Sequence, residues 1–243
     1  EGSVRMDRRR LKKMAKESLQ SKRSGALLVA SVLVSFLGLT DALLYALSGL
    51  DRLIDKIAYA AQVTPEVTFN DVLSLFQPPS PVALFFMAAL GLYRVAARFC
   101  FKGVCLKIAR RGNPTLRAFL DGLSQFFKCV ALCLVRLLLV LLGTAFFIAP
   151  GVYLWYGFRL SDFLLLDNPR WGVFKCLRGS MRLMRGRRRE LFRLDLSFLG
   201  WRLVDLLVYY QFSMWLFSIW LAPYAGVTYA GYYLELAAPE RSA

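Results

Sequence analysis

The sequence contains no histidine, so it lacks the commonest general base and the commonest metal ligand. Its five cysteines follow neither a disulfide framework nor a zinc-binding spacing. No phosphate loop, metal-binding helix motif or nucleophile elbow is present. A Ser-His pair is excluded, although carboxylate pairs could still act as acid and base. We therefore predict that the chain is not an enzyme and has no cofactor or metal site.

Acidic residues are scarce. There are 16 of them against 32 lysines and arginines, which gives a formal net charge of +16. Such a balance indicates either nucleic acid or an anionic surface as the partner. The basic residues lie between apolar runs, which favours the anionic headgroups of a cytoplasmic leaflet over nucleic acid. The predicted partners are membrane lipids, especially anionic ones, with an unidentified membrane or cytoplasmic protein as a further candidate.

Long apolar runs are abundant. The chain is 57% hydrophobic with a mean hydropathy of +0.47, and a bilayer-spanning helix needs roughly 20 mostly apolar residues. The runs predict an all-α polytopic transmembrane helix bundle of about six spans within a single membrane domain, 25–236. The predicted spans are 25–47, 82–101, 129–148, 152–166, 194–212 and 215–236. A turn at Pro150-Gly151 is predicted between the third and fourth spans.

The distribution of basic residues predicts the orientation. Residues 1–5 precede Met6 and are interpreted as a remnant of an expression tag. A basic N-terminal helix at 6–24, the segment after span two and the segment after span four fall on one side of the membrane. By the positive-inside rule that side is the cytoplasm. Both termini, including a short tail at 237–243, are predicted to be cytoplasmic.

Two basic segments have the pattern of amphipathic helices on the cytoplasmic side. The first starts at Asn113-Pro114 and the second at Asn168-Pro169, since Asn is a good N-cap and Pro suits the first helical position. Such helices are expected to lie in the membrane surface. In the second, the predicted apolar stripe is Trp171, Phe174, Leu177, Met181 and Met184. The shared Asn-Pro start is either an internal repeat of a helical hairpin or simply a good helix start.

Charged residues inside the predicted spans are the candidate site, because charge within a bilayer usually faces a cavity or a partner. The candidates are Arg94, Arg136, Arg159, Asp162, Arg202 and Asp205. Arg159 with Asp162, and Arg202 with Asp205, are three residues apart and can pair on one helix face. Arg94 and Arg136 are then left without an obvious partner. Either they form a net-positive site for an anion or lipid headgroup, or the arginines snorkel and the pairs lock helices together.

Several segments resemble a bacterial family of uncharacterised multi-pass integral membrane proteins, known only as a domain of unknown function. The most specific is the Ser-Phe-x-Gly-Trp block at 197–201, which follows the stretch at 180–186. Softer matches are Arg9-Arg10-Leu11-Lys12, Pro150-Gly151, the Asp167-Asn168-Pro169 stretch, and Ala222-Pro223-Tyr224. The resemblance implies a bacterial cytoplasmic (inner) membrane protein. It implies no activity and no functional residues.

Two hypotheses for the function stay open at this point. The first is a transport or export component, or a binder of an amphipathic anion or lipid, that uses the arginines of the spans. The second is a non-transporting accessory, adaptor or membrane-sensing protein that acts through its basic interfacial helices.

Overall fold

The structure is a computed structural model that describes residues 8–20, 26–48, 80–112, 123–212 and 218–241. All regular structure in these ranges is α-helical, as the apolar runs predict. The chain divides into two compact units, one of Glu1–Ser35 with Val95–Ala243 and the other of Phe36–Arg94.

The first three described ranges each contain one helix. These are α1 (Arg8–Gln20), α2 (Ala26–Ser48) and α3 (Pro81–Ala109). The predicted second span ends at residue 101, but α3 continues two further turns because nothing between Phe101 and Ala109 breaks a helix. It stops where Arg111 adopts a left-handed backbone (φ 57°) and the N–H of Gly112 bonds to the carbonyl of Lys107. The acidic segment after span one and the Asn113-Pro114 helix start lie outside the described residues.

Helices α4 (Phe126–Phe146) and α5 (Ile148–Gly157) form a tight hairpin. The break is at Phe147, whose backbone is extended (φ −160°, ψ 151°), and not at the predicted Pro150-Gly151 turn. Pro150 lies instead in the first turn of α5, where its missing N–H is not needed. Gly151 packs directly on α4, because a Cβ there would lie 3.0 Å from the Cα of Thr144. Small residues therefore bring the two backbones together.

The predicted fourth span, 152–166, is wrong as a single helix. The chain breaks at residues 158–160, between α5 and α6 (Ser161–Asp167). The hydroxyl of Ser180 holds this break from another helix: it donates to the carbonyl of Gly157 (2.6 Å) and accepts from the N–H of Leu160 (3.2 Å). A ten-residue helix such as α5 is about 15 Å long, half of what a bilayer core requires.

Helix α7 (Val173–Leu183) is amphipathic, as predicted, but it starts later and faces differently. Asn168 forms the C-cap of α6, and Gly172 is the N-cap of α7. Leu177 and Met184 of the predicted stripe are 3% and 0% exposed, because they pack into the protein core. The prediction that this stripe enters the membrane surface is therefore wrong for Leu177 and Met184, and within the stripe only Phe174 is prominently exposed, at 73%.

The last two helices are α8 (Arg188–Phe212) and α9 (Ser218–Arg241). Helix α1 packs along α9, and its buried face is Leu11, Ala15 and Leu19. The same core includes Phe198 of α8 and Tyr232 and Tyr233 of α9. The basic N-terminal helix therefore uses its apolar face to bind the protein.

Two of the described helices are long and apolar enough to cross a membrane: Pro81–Ala109 and Phe126–Phe146. In the most apolar 18-residue stretch of each helix, only 17% and 11% of the residues are buried. The core helix of a soluble protein is mostly buried. Large apolar side chains remain exposed on α4, α5 and α8, among them Leu138, Trp155 and Leu207. Helix α8 carries arginines and aspartates along its length, which reduces its fit to a span. Six spans remain a prediction.

Candidate functional site

Four of the six charged candidates contact partners on other helices. Arg94 forms an ion pair with Asp41 of α2, with Nη2 to Oδ2 at 3.0 Å and Nε to Oδ1 at 2.6 Å. Both residues belong to the unit Phe36–Arg94. The expectation that Arg94 lacks a partner is wrong, because Asp41 lies on the preceding predicted span within reach of its guanidinium.

Asp162 is a buried carboxylate of the candidate set, at 6% exposure. Nη1 of Arg136 donates to both of its oxygens, at 3.2 and 3.1 Å. Nζ of Lys102 also donates to Oδ2. One carboxylate of α6 thus holds two cations, from α3 and α4, and the cluster has a formal charge of +1. Arg136 therefore has a partner, contrary to expectation.

Asp195 holds the second group. Arg159, which lies in the break between α5 and α6, approaches Oδ1 of Asp195 with Nη2 at 3.5 Å. The hydroxyl of Tyr229 on α9 donates to the same oxygen. The guanidinium of Arg159 also lies over the Tyr229 ring, 5.2 Å from its centroid. The predicted pair of Arg159 with Asp162 is wrong, because each residue contacts a partner on a different helix.

A third carboxylate, Asp167 at the end of α6, completes the pattern. Arg110, just beyond the end of α3, donates to Oδ1, and the hydroxyl of Tyr233 donates to Oδ2 at 2.8 Å. The Tyr233 ring stacks on Phe163, with centroids 5.5 Å apart. Asp162, Asp167 and Asp195 therefore each join three segments of the same unit through hydrogen bonds to charged groups, which are stronger than neutral ones.

The last two candidates lie on α8. Arg202 is exposed, as are its neighbours Trp201 and Leu203. Asp205 is buried, at 5% exposure. Their pairing with each other remains a prediction.

Sequence reasoning missed Lys102, Asp41, Tyr229 and Tyr233 as members of these clusters. Lys102 falls in the basic segment after predicted span two, and neither tyrosine was among the candidate site residues. One signal could have connected Asp41 to Arg94. Predicted span one contains an acidic residue and predicted span two a basic residue, and neither has an opposite charge nearby on its own helix. The tyrosines give no comparable signal, because a buried phenol needs a partner that only the tertiary structure defines.

The part of the chain that contains the three aspartates of these clusters matches a known family model. Residues 124–240 match the family described as protein of unknown function (DUF975). The match covers α4 to α9, including Asp162, Asp167 and Asp195, and slightly less than half of the chain. No curated protein and no solved structure matches the chain.

Proposed function

We propose that this chain is a multi-pass protein of a bacterial cytoplasmic membrane and that it acts as a non-transporting accessory. The observation that carries the proposal is the pairing of the arginines in the predicted spans. Arg94, Arg136 and Arg159 each contact an aspartate of the same unit. Guanidiniums that are paired with carboxylates inside the fold join helices and have their donors engaged by the protein.

Contacts within the larger unit support the orientation. Each of the three basic segments that the positive-inside rule assigns to the cytoplasm contacts a helix of the larger unit. Lys12 of α1 lies over the Phe198 ring of α8 (4.4 Å), and Arg110 after α3 pairs with Asp167 of α6. The hydroxyl of Tyr232 donates to the carbonyl of Arg187 at 3.2 Å. These contacts are compatible with one side of a bilayer for all three segments, and their charge favours the cytoplasmic side.

Cysteine accessibility in the full-length protein tests this topology. A cysteine-free background receives single substitutions, Lys13→Cys, Phe147→Cys or Arg185→Cys, at exposed positions. We expect a membrane-impermeant maleimide to label only the Phe147→Cys protein on intact spheroplasts, and all three after lysis. Extraction by alkaline carbonate, or labelling of the Lys13→Cys or Arg185→Cys protein from outside, would contradict the proposal.

A second candidate is a transport or anion-binding role, and one observation favours it. Predicted span four is broken at residues 158–160, and Arg159 lies in the break. Discontinuous helices in transporters often form substrate sites. Against this role, the hydroxyl of Ser180 already bonds to the backbone groups of Gly157 and Leu160 at the break. Arg159 already contacts Asp195. We therefore place this role second.

A further inference from the structure

The outer side of α7 and the turn after it carries a row of cations. Lys175, Arg178, Arg182 and Arg185 are exposed, and we refer to them together as the cationic ridge. Their spacing of three, four and three residues keeps them along one side of a helix. Helix α7 contains no acidic residue. Among the residues that the structure describes, no ion pair involves any member of the ridge.

The opposite side of α7 is fixed to the protein. Cys176 and Leu177 are 0% and 3% exposed, and Ser180 is bonded across the break between α5 and α6. The helix therefore cannot turn its apolar face toward a membrane, as a free amphipathic helix does. Whatever α7 binds must meet the cationic ridge.

The surroundings of α7 favour a lipid surface over an acidic protein segment. Nζ of Lys128, in the first turn of the candidate span α4, donates to the carbonyl of Pro169 (2.6 Å). The segment that leads into α7 is thus tied to the first turn of α4, and this end of α4 would lie at headgroup depth if α4 spans the bilayer. Phe174 is 73% exposed beside the ridge, and Lys175 lies over the Trp171 ring, 4.5 Å from its centroid. An exposed aromatic ring and a half-buried tryptophan next to cations are typical of residues at a membrane interface.

We propose that the cationic ridge binds the phosphate groups of anionic phospholipids, with Phe174 inserted between the lipids. The inference rests on the proposed function, because it requires α4 to span the bilayer. Each ridge cation attracts an anionic headgroup across a short, partly desolvated distance, and the attraction weakens as salt increases. The bound lipid fixes α7 against the membrane, and through Ser180 it restrains the break between α5 and α6.

The test uses the full-length protein in mild detergent. Its binding of dioctanoyl phosphatidylglycerol is titrated and compared with that of the zwitterionic dioctanoyl phosphatidylcholine. We expect the wild type to prefer the anionic lipid. In the triple variant Arg178→Gln, Arg182→Gln and Arg185→Gln, that preference should fall by about 10- to 100-fold. The matched control, Arg10→Gln, Lys13→Gln and Lys16→Gln, removes the same charge from exposed positions of α1 and should keep most of the preference.

An equal loss in both triple variants would mean that only net charge matters, and it would overturn the proposal. So would an unchanged preference in the ridge variant. If the ridge variant melts earlier than wild type, Arg182→Glu and Arg182→Lys replace it; only the glutamate should abolish the preference. The proposed function is tested by a different measurement. If alkaline carbonate removes the protein from membranes while the cationic ridge still prefers anionic lipid in detergent, the proposed function fails and the lipid preference stands.

Discussion

Arg136 of α4 donates from Nη1 to both carboxylate oxygens of Asp162 on α6, at 3.2 and 3.1 Å. Lys102 of α3 donates to the same carboxylate, so one anion joins three helices. Asp162 is almost completely buried, whereas Lys102 and Arg136 have side-chain exposures of 34% and 24%. Removal of the three charged groups therefore has different consequences. Without the carboxylate, both cations lose their partner, whereas removal of either cation leaves a neutral pair.

This asymmetry predicts different effects of removing each charge. Asp162→Asn leaves two cations beside each other without an anion, and loss of one partner of a buried pair costs about 3–5 kcal/mol. Arg136→Gln leaves the neutral Lys102–Asp162 pair and should be milder. Thermal unfolding of the purified proteins should give a clearly lower Tm for Asp162→Asn than for Arg136→Gln.

The double variant Asp162→Asn with Lys102→Met provides the control, because it removes one cation together with the anion. We expect it to recover part of the Tm lost by Asp162→Asn alone. Equal Tm values for Asp162→Asn and Arg136→Gln would contradict the shared-carboxylate arrangement.

The close approach of α4 and α5 predicts that Gly151 does not tolerate a side chain. In Gly151→Ala the new Cβ would lie 3.0 Å from the Cα of Thr144, so the hairpin must open. Overpacking of this kind costs about 1–3 kcal/mol and should lower Tm by several degrees. Gly200 on α8 has no neighbouring atom within 4 Å, so Gly200→Ala should leave Tm unchanged or raise it. The same loss at both positions would show that the effect is not one of packing.

The hydroxyl of Ser180 is predicted to stabilise the break between α5 and α6. Ser180→Ala removes its bonds to the carbonyl of Gly157 and the N–H of Leu160 in a fully buried position. Leaving such groups unsatisfied costs about 1–3 kcal/mol. Ser197→Ala is the matched control, because that hydroxyl bonds only locally to the carbonyl of Leu194, three residues before it. Differential scanning fluorimetry in detergent should show a drop in Tm for Ser180→Ala alone.

The helical class of this chain was predictable because apolar residues recur over lengths that only helices use. The ends of α2, α3 and α4 lie near those of the corresponding apolar runs, apart from the two extra turns of α3. The turn at Phe147 was not predictable, because Pro150 is a stronger turn signal in the sequence yet fits the first turn of a helix. The break at residues 158–160 is hydrogen-bonded to Ser180, a residue some 20 positions away that local sequence signals do not connect to it.

The partners of the charged residues could not be predicted for a similar reason. Spacing along one helix suggests that Arg159 pairs with Asp162, because only local neighbours are visible in a sequence. In the folded chain, Arg159 reaches Asp195, 36 residues away, and Asp162 meets Lys102, 60 residues away. Likewise the stripe of α7 indicates an apolar face without showing what covers it, and here the cover is the protein core.

The central claim is that the arginines of the predicted spans are structural and do not form a ligand site. Native mass spectrometry of the wild type, Arg94→Ala and Arg136→Ala, each purified in mild detergent, tests it most directly. We expect the three proteins to carry the same set of bound lipids, because Arg94 and Arg136 are already paired with Asp41 and Asp162. A discrete anionic lipid or metabolite that is bound to wild type and lost from either variant would contradict the account.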